Sequence, residues 1–505
     1  MLRHALLAIS LAVSVAVACG SSGSGNHGGG SGDGGLGDAA GDTGSLFPGD
    51  DGSAPQGVLA IAPLAPVLTA VTGQAPPTQQ FTATLNGQPT AAGWSFDRGE
   101  LGVIDAKGLF TASGTYGGVG HVTASVGTQK ASTTVTIDLS TTQQGDPSWS
   151  NNPPDAGAGG YGGVGGGGPG GPPSATQTGV LNGTPTADPG VSLLYPYDRT
   201  VWPQGLLAPL LQWAPGSHAF DSAYVHITEA NYDYKGYFAA NTTPFVNLPI
   251  PQQAWATMAY SNGGGPVTLS VVLAQGNTAY GPYTETWTVA QATLQGTIYY
   301  NSYGTALVKN SDGVDHYGNQ YGAGTLAILP GATGPTLTAG VNSPNAGGDG
   351  TGCRVCHTVA ANGQSLVTQA SNASAGDYSN TVRIDLANDT TGGAGTSLAT
   401  SNLTYPALFK DGTLLLSGAG GFINDQSSTG LYALPAGTAV AGVTGLGQNL
   451  QATLPAFSPD GAHVSFNFWA GTLTGASALQ GDQRSLAVLD FDGKTAFSNP
   501  RVLYT

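Results

Sequence analysis

The stretch Phe457-Ser458-Pro459-Asp460-Gly461-Ala462-His463-Val464 sets a Pro-Asp-Gly turn between two apolar runs. Asp-Gly or Asn-Gly between apolar strands is the strongest short-range hairpin signal. The same frame stands earlier at Leu408-Phe409-Lys410-Asp411-Gly412-Thr413-Leu414-Leu415 and at Val359-Ala360-Ala361-Asn362-Gly363-Gln364-Ser365-Leu366. Its glycines fall at 363, 412 and 461, so both intervals are 49 residues. A further strand follows each copy, at Thr381–Leu386, Leu431–Leu434 and Ser485–Phe491. A period of ~50 residues with about four strands per repeat is the sequence signature of a β-propeller. Gly296 to Ala339 supplies a degenerate fourth repeat, and Arg501-Val502-Leu503-Tyr504-Thr505 reads as the last strand of a blade. Propellers usually hold roughly four to eight blades. Two alternatives stay open: a small ring that closes unusually, or part of a longer propeller.

Phe457-Ser458-Pro459-Asp460-Gly461 resembles the blade of TolB-type, WD-repeat-like propellers. Residues 56–140 show period-2 alternation at Phe81–Leu85, His121–Val126 and Thr133–Ile137, separated by Gly-containing turns. Trp94-Ser95-Phe96 and Val103-Ile104-Asp105-Ala106-Lys107-Gly108-Leu109-Phe110 resemble the bacterial immunoglobulin-like (group 2) domain. That resemblance implies a sandwich that spaces or adheres, with no catalytic residues. Residues 188–295 place a core tryptophan in Pro209-Leu210-Leu211-Gln212-Trp213 and further strands at Val267–Ala274 and Thr284–Val289. They resemble a fibronectin type III or immunoglobulin-like module, in which Tyr232, Tyr234, Tyr237 and Phe238 read as strand-face packing in preference to a ligand platform. Between the two lies a Gly/Pro-rich linker, 141–187. Its Gly160-Tyr161-Gly162-Gly163-Val164-Gly165 fits G-x-G-x-x-G but lacks the strand and helix that a nucleotide site needs. The expected fold class is all-β: two immunoglobulin-like or fibronectin-like sandwiches followed by a partial β-propeller at 296–505.

At the N-terminus, Arg3 and His4 precede an apolar run from Ala5 to Val17, a secretory signal over 1–18 that is short for a membrane span. Ala16-Val17-Ala18-Cys19-Gly20 resembles a bacterial lipobox, with Ala16 where that family usually has Leu. The resemblance implies acylation of Cys19 and attachment to the membrane through lipid; ordinary cleavage after Ala18 is the alternative. A Gly/Ser/Asp tether extends to residue 55. The 505 residues include 81 glycines and only 8% charged side chains. A net charge of −16 argues against nucleic acid as a partner. Few charges amid many Thr, Ser, Asn and Gln suit an exported surface.

The chemistry-bearing motif is Cys353-Arg354-Val355-Cys356-His357, the C-x-x-C-H signature of c-type haem attachment. Each thiol anchors one vinyl group of the porphyrin, and the imidazole is the proximal iron ligand. The chain has three cysteines, and Cys19 has its own explanation. An exported protein whose other two thiols stand in this motif uses them for chemistry, since disulfides are the default use there. A thioredoxin-like dithiol needs a βαβ setting, and a zinc site needs a second Cys/His pair; neither is in the sequence, and a C-x-x-C that closes a small disulfide loop between Cys353 and Cys356 stays as the alternative. In the repeat frame Cys356 falls in register with Tyr405 and Leu454, so the motif opens the innermost strand of a blade, outside any cytochrome c helical fold. No methionine follows Met258, so the sixth ligand is a histidine or nothing; His316, in a polar turn, ranks ahead of His121, His218, His226 and His463. The expected activity is electron transfer with an unidentified redox partner. A non-redox adhesin or scaffold that binds glycan or protein, and a haem enzyme with an open iron site, are the alternatives.

Overall fold

The computed structural model describes residues 57–146, 156–157, 160–161, 168–241, 244–305, 307–308, 322–341, 352–370, 380–418, 428–473 and 480–504. The signal, Cys19, the tether and His316 lie outside the described residues. The protein is all-β, with two immunoglobulin-like sandwiches followed by four blade-like sheets.

In the first sandwich, alternation buries Phe81, Phe110, Val122, Val135 and Ile137 and leaves their neighbours at the surface. The Asp105 turn is held by its own carboxylate, whose Oδ1 accepts the Lys107 and Leu109 amides at 2.8 Å each. Gly108 follows at φ +80°, and a Cβ there would lie 2.7 Å from the Phe81 carbonyl oxygen and 2.9 Å from the Trp94 ring. Only glycine combines that backbone with that contact. In the second sandwich, Trp202, Trp255 and Trp287 meet edge to face with centroids 5.2, 6.0 and 6.2 Å apart. Tyr232, Tyr234, Tyr237 and Phe238 are buried, as strand-face packing requires.

The sandwiches share one sheet. Strand Gln129–Gln144 runs on past the first sandwich, and its residues Leu139–Gln144 pair parallel with Tyr232–Tyr237 of the second. The resulting nine-stranded sheet crosses both domains. Gly117 allows the close approach, since a Cβ there would lie 2.0 Å from the Asn231 carbonyl oxygen. The segment expected as linker, 141–187, therefore begins as strand. It also holds a helix, Ala175–Leu181, with a Ser174–Gln177 capping box. Leu181 packs on Tyr237, Val272 and Ala274, covering the outer face of the shared sheet.

Glu229 sits at this seam, and neither carboxylate oxygen has a hydrogen-bond partner of ordinary geometry. Burial pushes its pKa up to about 7, with Asp138 adding to the rise and the Asn231 and Ala230 amides opposing it. A raised folded-state value means stability is full below the unfolded pKa and is lost as pH rises through about 7. Glu229→Gln should then stabilise the protein by about 1 kcal/mol near pH 8, after discounting for partial exposure, and by nothing near pH 4. Urea unfolding at the two pH values measures this; an equal effect at both would contradict it.

The first blade is three-stranded, Ile298–Thr305, Gly322–Ile328 and Thr336–Ala339. The second comprises Arg354–Val359, Ser365–Ala370, Asn380–Asp385 and Thr396–Ser397. The third runs from Ala407–Leu408 to Thr438–Ala439, and the fourth from Gln451–Phe457 to Phe497–Tyr504. Each is antiparallel with its strands in sequence order. The repeat glycines 363, 412 and 461 have φ of +68°, +75° and +76°, the left-handed value a tight hairpin needs. Successive turns bond to one another: Asn362 donates its side-chain amide to the Asp411 carbonyl at 2.8 Å, and Lys410 Nζ donates to that of Asp460.

A second backbone mark recurs with the same interval. Cys356, Tyr405 and Leu454, register-equivalent residues in or just before the inner strands, all have positive φ, at +56°, +43° and +51°. In the second and fourth blades this residue lies in a bulge, where three steps along the inner strand, Val355 to Thr358 and Thr453 to Ala456, oppose two on its neighbour.

Candidate functional site

Cys353 precedes the inner strand of the second blade, and Cys356 and His357 occupy its bulge. Strand side chains alternate, so residues three apart point to opposite faces. The bulge between Val355 and Thr358, with Cys356 at positive φ inside it, breaks that alternation. Both thiols then join one small cluster with Ala323 and Val355. The blade thus does with a bulge what a helix does with an i, i+3 pair. The kink belongs to the repeat, since Tyr405 and Leu454 share it; the two thiols are what the second blade adds.

Neither thiol is in a disulfide. Cys353 is buried, and its sulfur accepts the Ala323 amide at 3.4 Å. Burial pushes the Cys356 thiol up, with a hydrogen bond to the Tyr405 side chain opposing it. Arg354 is buried between them and donates to the carbonyl oxygens of Cys353 at 2.8 Å and Ala394 at 2.6 Å. Burial draws its pKa down to about 10, against the pull of Cys353.

His357 is set apart from the other histidines. His121, His218, His226 and His463 each hold an aspartate oxygen at 2.7–2.8 Å, on Asp97, Asp188, Asp233 and Asp490. His357 is the one described histidine without a carboxylate: its Nδ1 meets the amide oxygen of Asn301 at 2.9 Å. Burial lowers its pKa to about 4, with a smaller opposite pull from the Tyr299 backbone. The ring is therefore neutral at physiological pH, the state in which imidazole binds a metal. Two unpaired thiols on one cluster and a neutral imidazole beside them fit the donor set of a covalent haem. Among the described residues no group of three or more His, Cys, Asp and Glu side chains could hold a metal ion by itself.

The sequence located the thiols and His357 but not Asn301, Thr325 or Tyr405, which reach the motif from neighbouring blades. Only Tyr405 had a sequence signal, its 49-residue interval from Cys356. His316 lies outside the described residues. Met258 is fully buried in the helix Gln252–Ser261 of the second sandwich.

No protein-family model matches the chain, and no curated protein matches it. Solved structures overlap it at low similarity. A quinonprotein alcohol dehydrogenase-like protein from Bacteroides thetaiotaomicron is 10% identical over 86% of this chain and 94% of that one, with a TM-score of 0.22. The β-propeller domain of Myceliophteria thermophila Cps50 (Swd1) is 13% identical over 35% of this chain, at a TM-score of 0.21. This chain spans 53% of that domain's length. A tandem of titin immunoglobulin domains is 10% identical over 46% of this chain and 96% of its own, at a TM-score of 0.15. At these scores the overlaps carry no assignment of activity. The chain is an all-β protein with immunoglobulin-like and propeller-like parts.

Proposed function

We propose that this chain is a cell-envelope lipoprotein that carries one covalent c-type haem in its second blade and passes single electrons. The observation that carries the reading is the neutral, carboxylate-free His357 beside two unpaired thiols that a bulge turns into one cluster. Cys353 and Cys356 would anchor the porphyrin, and His357 would hold the iron through Nε2. The bound haem supplies a one-electron couple. The chain's own residues exclude water from Cys353, hold the imidazole neutral and fix its ring. His316 stands as the candidate second axial ligand, and acylated Cys19 as the anchor to the outer membrane or cell surface. The two sandwiches, joined through one sheet, serve as a stiff spacer between tether and blades. The partner is a redox protein of the envelope.

The test is a visible spectrum of the exported protein made with the haem-maturation machinery. Sharp reduced bands that survive denaturation support the proposal. A colourless product overturns it and favours a non-redox module that binds glycan or protein. Carbon monoxide binding to the reduced form would replace electron transfer with an open-site haem enzyme.

A further inference from the structure

We infer that Asn301 is a positioning residue for His357: with Thr325 it keeps the ring proton on Nδ1 and leaves Nε2 bare to serve as the ligand atom. Asn301 and Thr325 are cross-strand partners in the first blade, in direct register. Thr325 is fully buried, and its hydroxyl donates to Asn301 Oδ1 at 3.0 Å. The same oxygen lies 2.9 Å from His357 Nδ1 in the next blade. A carbonyl oxygen only accepts, and with two lone pairs it takes both donors. With that oxygen facing it, Nδ1 carries the one proton of the neutral ring, and the Tyr299 backbone is a second group that favours a ring N–H.

The reverse orientation of the amide would turn its NH2 group to both partners. It would strip Nδ1 and move the proton to Nε2, closing the ligand position. In the orientation observed the Asn301 oxygen faces both groups, so the amide sets which nitrogen of His357 faces outward and Thr325 anchors the amide. Two strands of the neighbouring blade set the ligand, so the seam between the blades is part of the site. Outer groups that take a ligand imidazole's second N–H orient the ring and raise its basicity.

The inference deepens the haem proposal, but its first half concerns the polypeptide alone. Two-bond proton–nitrogen correlation spectra of the cofactor-free, 15N-labelled full chain read the tautomer directly. The wild type should show His357 protonated at Nδ1. Asn301→Leu, which removes the acceptor, should move the proton to Nε2 in a large share of molecules, and Asn301→Asp, which keeps the acceptor, should leave it on Nδ1. If Asn301→Leu fails to fold, Asn301→Ala decides. In haem-loaded protein the midpoint potential should rise in Asn301→Leu and fall in Asn301→Asp. An Nε2-protonated wild type, or a tautomer unchanged in whichever of Asn301→Leu and Asn301→Ala folds, overturns the inference. A chain that loads no haem yet shows this tautomer pattern overturns the haem proposal and leaves the positioning role standing.

Discussion

The Cys353→Ala/Cys356→Ala double variant is expected to fold and to retain no haem through denaturation, a complete loss where the wild type stains. Its folding cost is small because the thiols are unpaired and close no loop. Cys353 loses one long contact to the Ala323 amide and a little buried volume. Together the two changes should cost about 1–2 kcal/mol. The kinked backbone at 356 survives, since Tyr405 and Leu454 hold the same left-handed conformation without sulfur. Loss of stain in a variant that unfolds near the wild-type midpoint is then a chemical effect. Each single variant keeps one thioether and so some stain. Haem staining of denaturing gels, with urea unfolding alongside, measures both halves. A double variant that still stains would show that the haem is held elsewhere.

The regular part of the fold was written in local pattern. The 49-residue glycine frame needs only short hairpins, whose signal lies within a few residues. The Asp105–Gly108 turn is legible for the same reason: its hydrogen bonds span two and four residues. The shared sheet was not legible. Leu139–Gln144 pairs with Tyr232–Tyr237 in parallel, and no turn between them marks the register. The helix Ala175–Leu181 had a local sign, Ser174 three residues ahead of Gln177, that the surrounding glycines and prolines outweighed.

The site divides along the same line. Cys353, Cys356 and His357 announce themselves because covalent attachment needs them close in sequence. What makes His357 unlike the other described histidines is an amide 56 residues away on another blade. The bulge that unites the thiols is a property of the repeat, and the glycine frame pointed at its position without showing its geometry. A sequence motif gives the reacting atoms; tautomer, burial and facing come from tertiary register.

Trp287→Ala should be the most destabilising single change in the described sandwiches. Trp287 is fully buried among Trp202, Trp255 and the second sandwich's strands. The cavity alone should cost about 3–5 kcal/mol. The indole also donates Nε1–H to Glu285 Oε2 at 3.0 Å, and Glu285 is itself buried. Burial holds the Glu285 pKa above its ordinary value, with Trp287 pulling it down and Asp198 raising it slightly. Losing the donor orphans that carboxyl and adds about 1–3 kcal/mol wherever it is ionised. Trp287→Phe separates the two costs, because it refills most of the cavity but supplies no donor. A raised folded pKa weakens the fold as pH rises through it, and removing Trp287 raises it further. The deficit of Trp287→Phe should therefore be small near pH 4, where the carboxyl is protonated, and grow toward pH 8. Trp287→Ala should keep its cavity cost at both. Urea unfolding at the two pH values decides: a pH-independent deficit in Trp287→Phe would mean that the indole contributes packing alone.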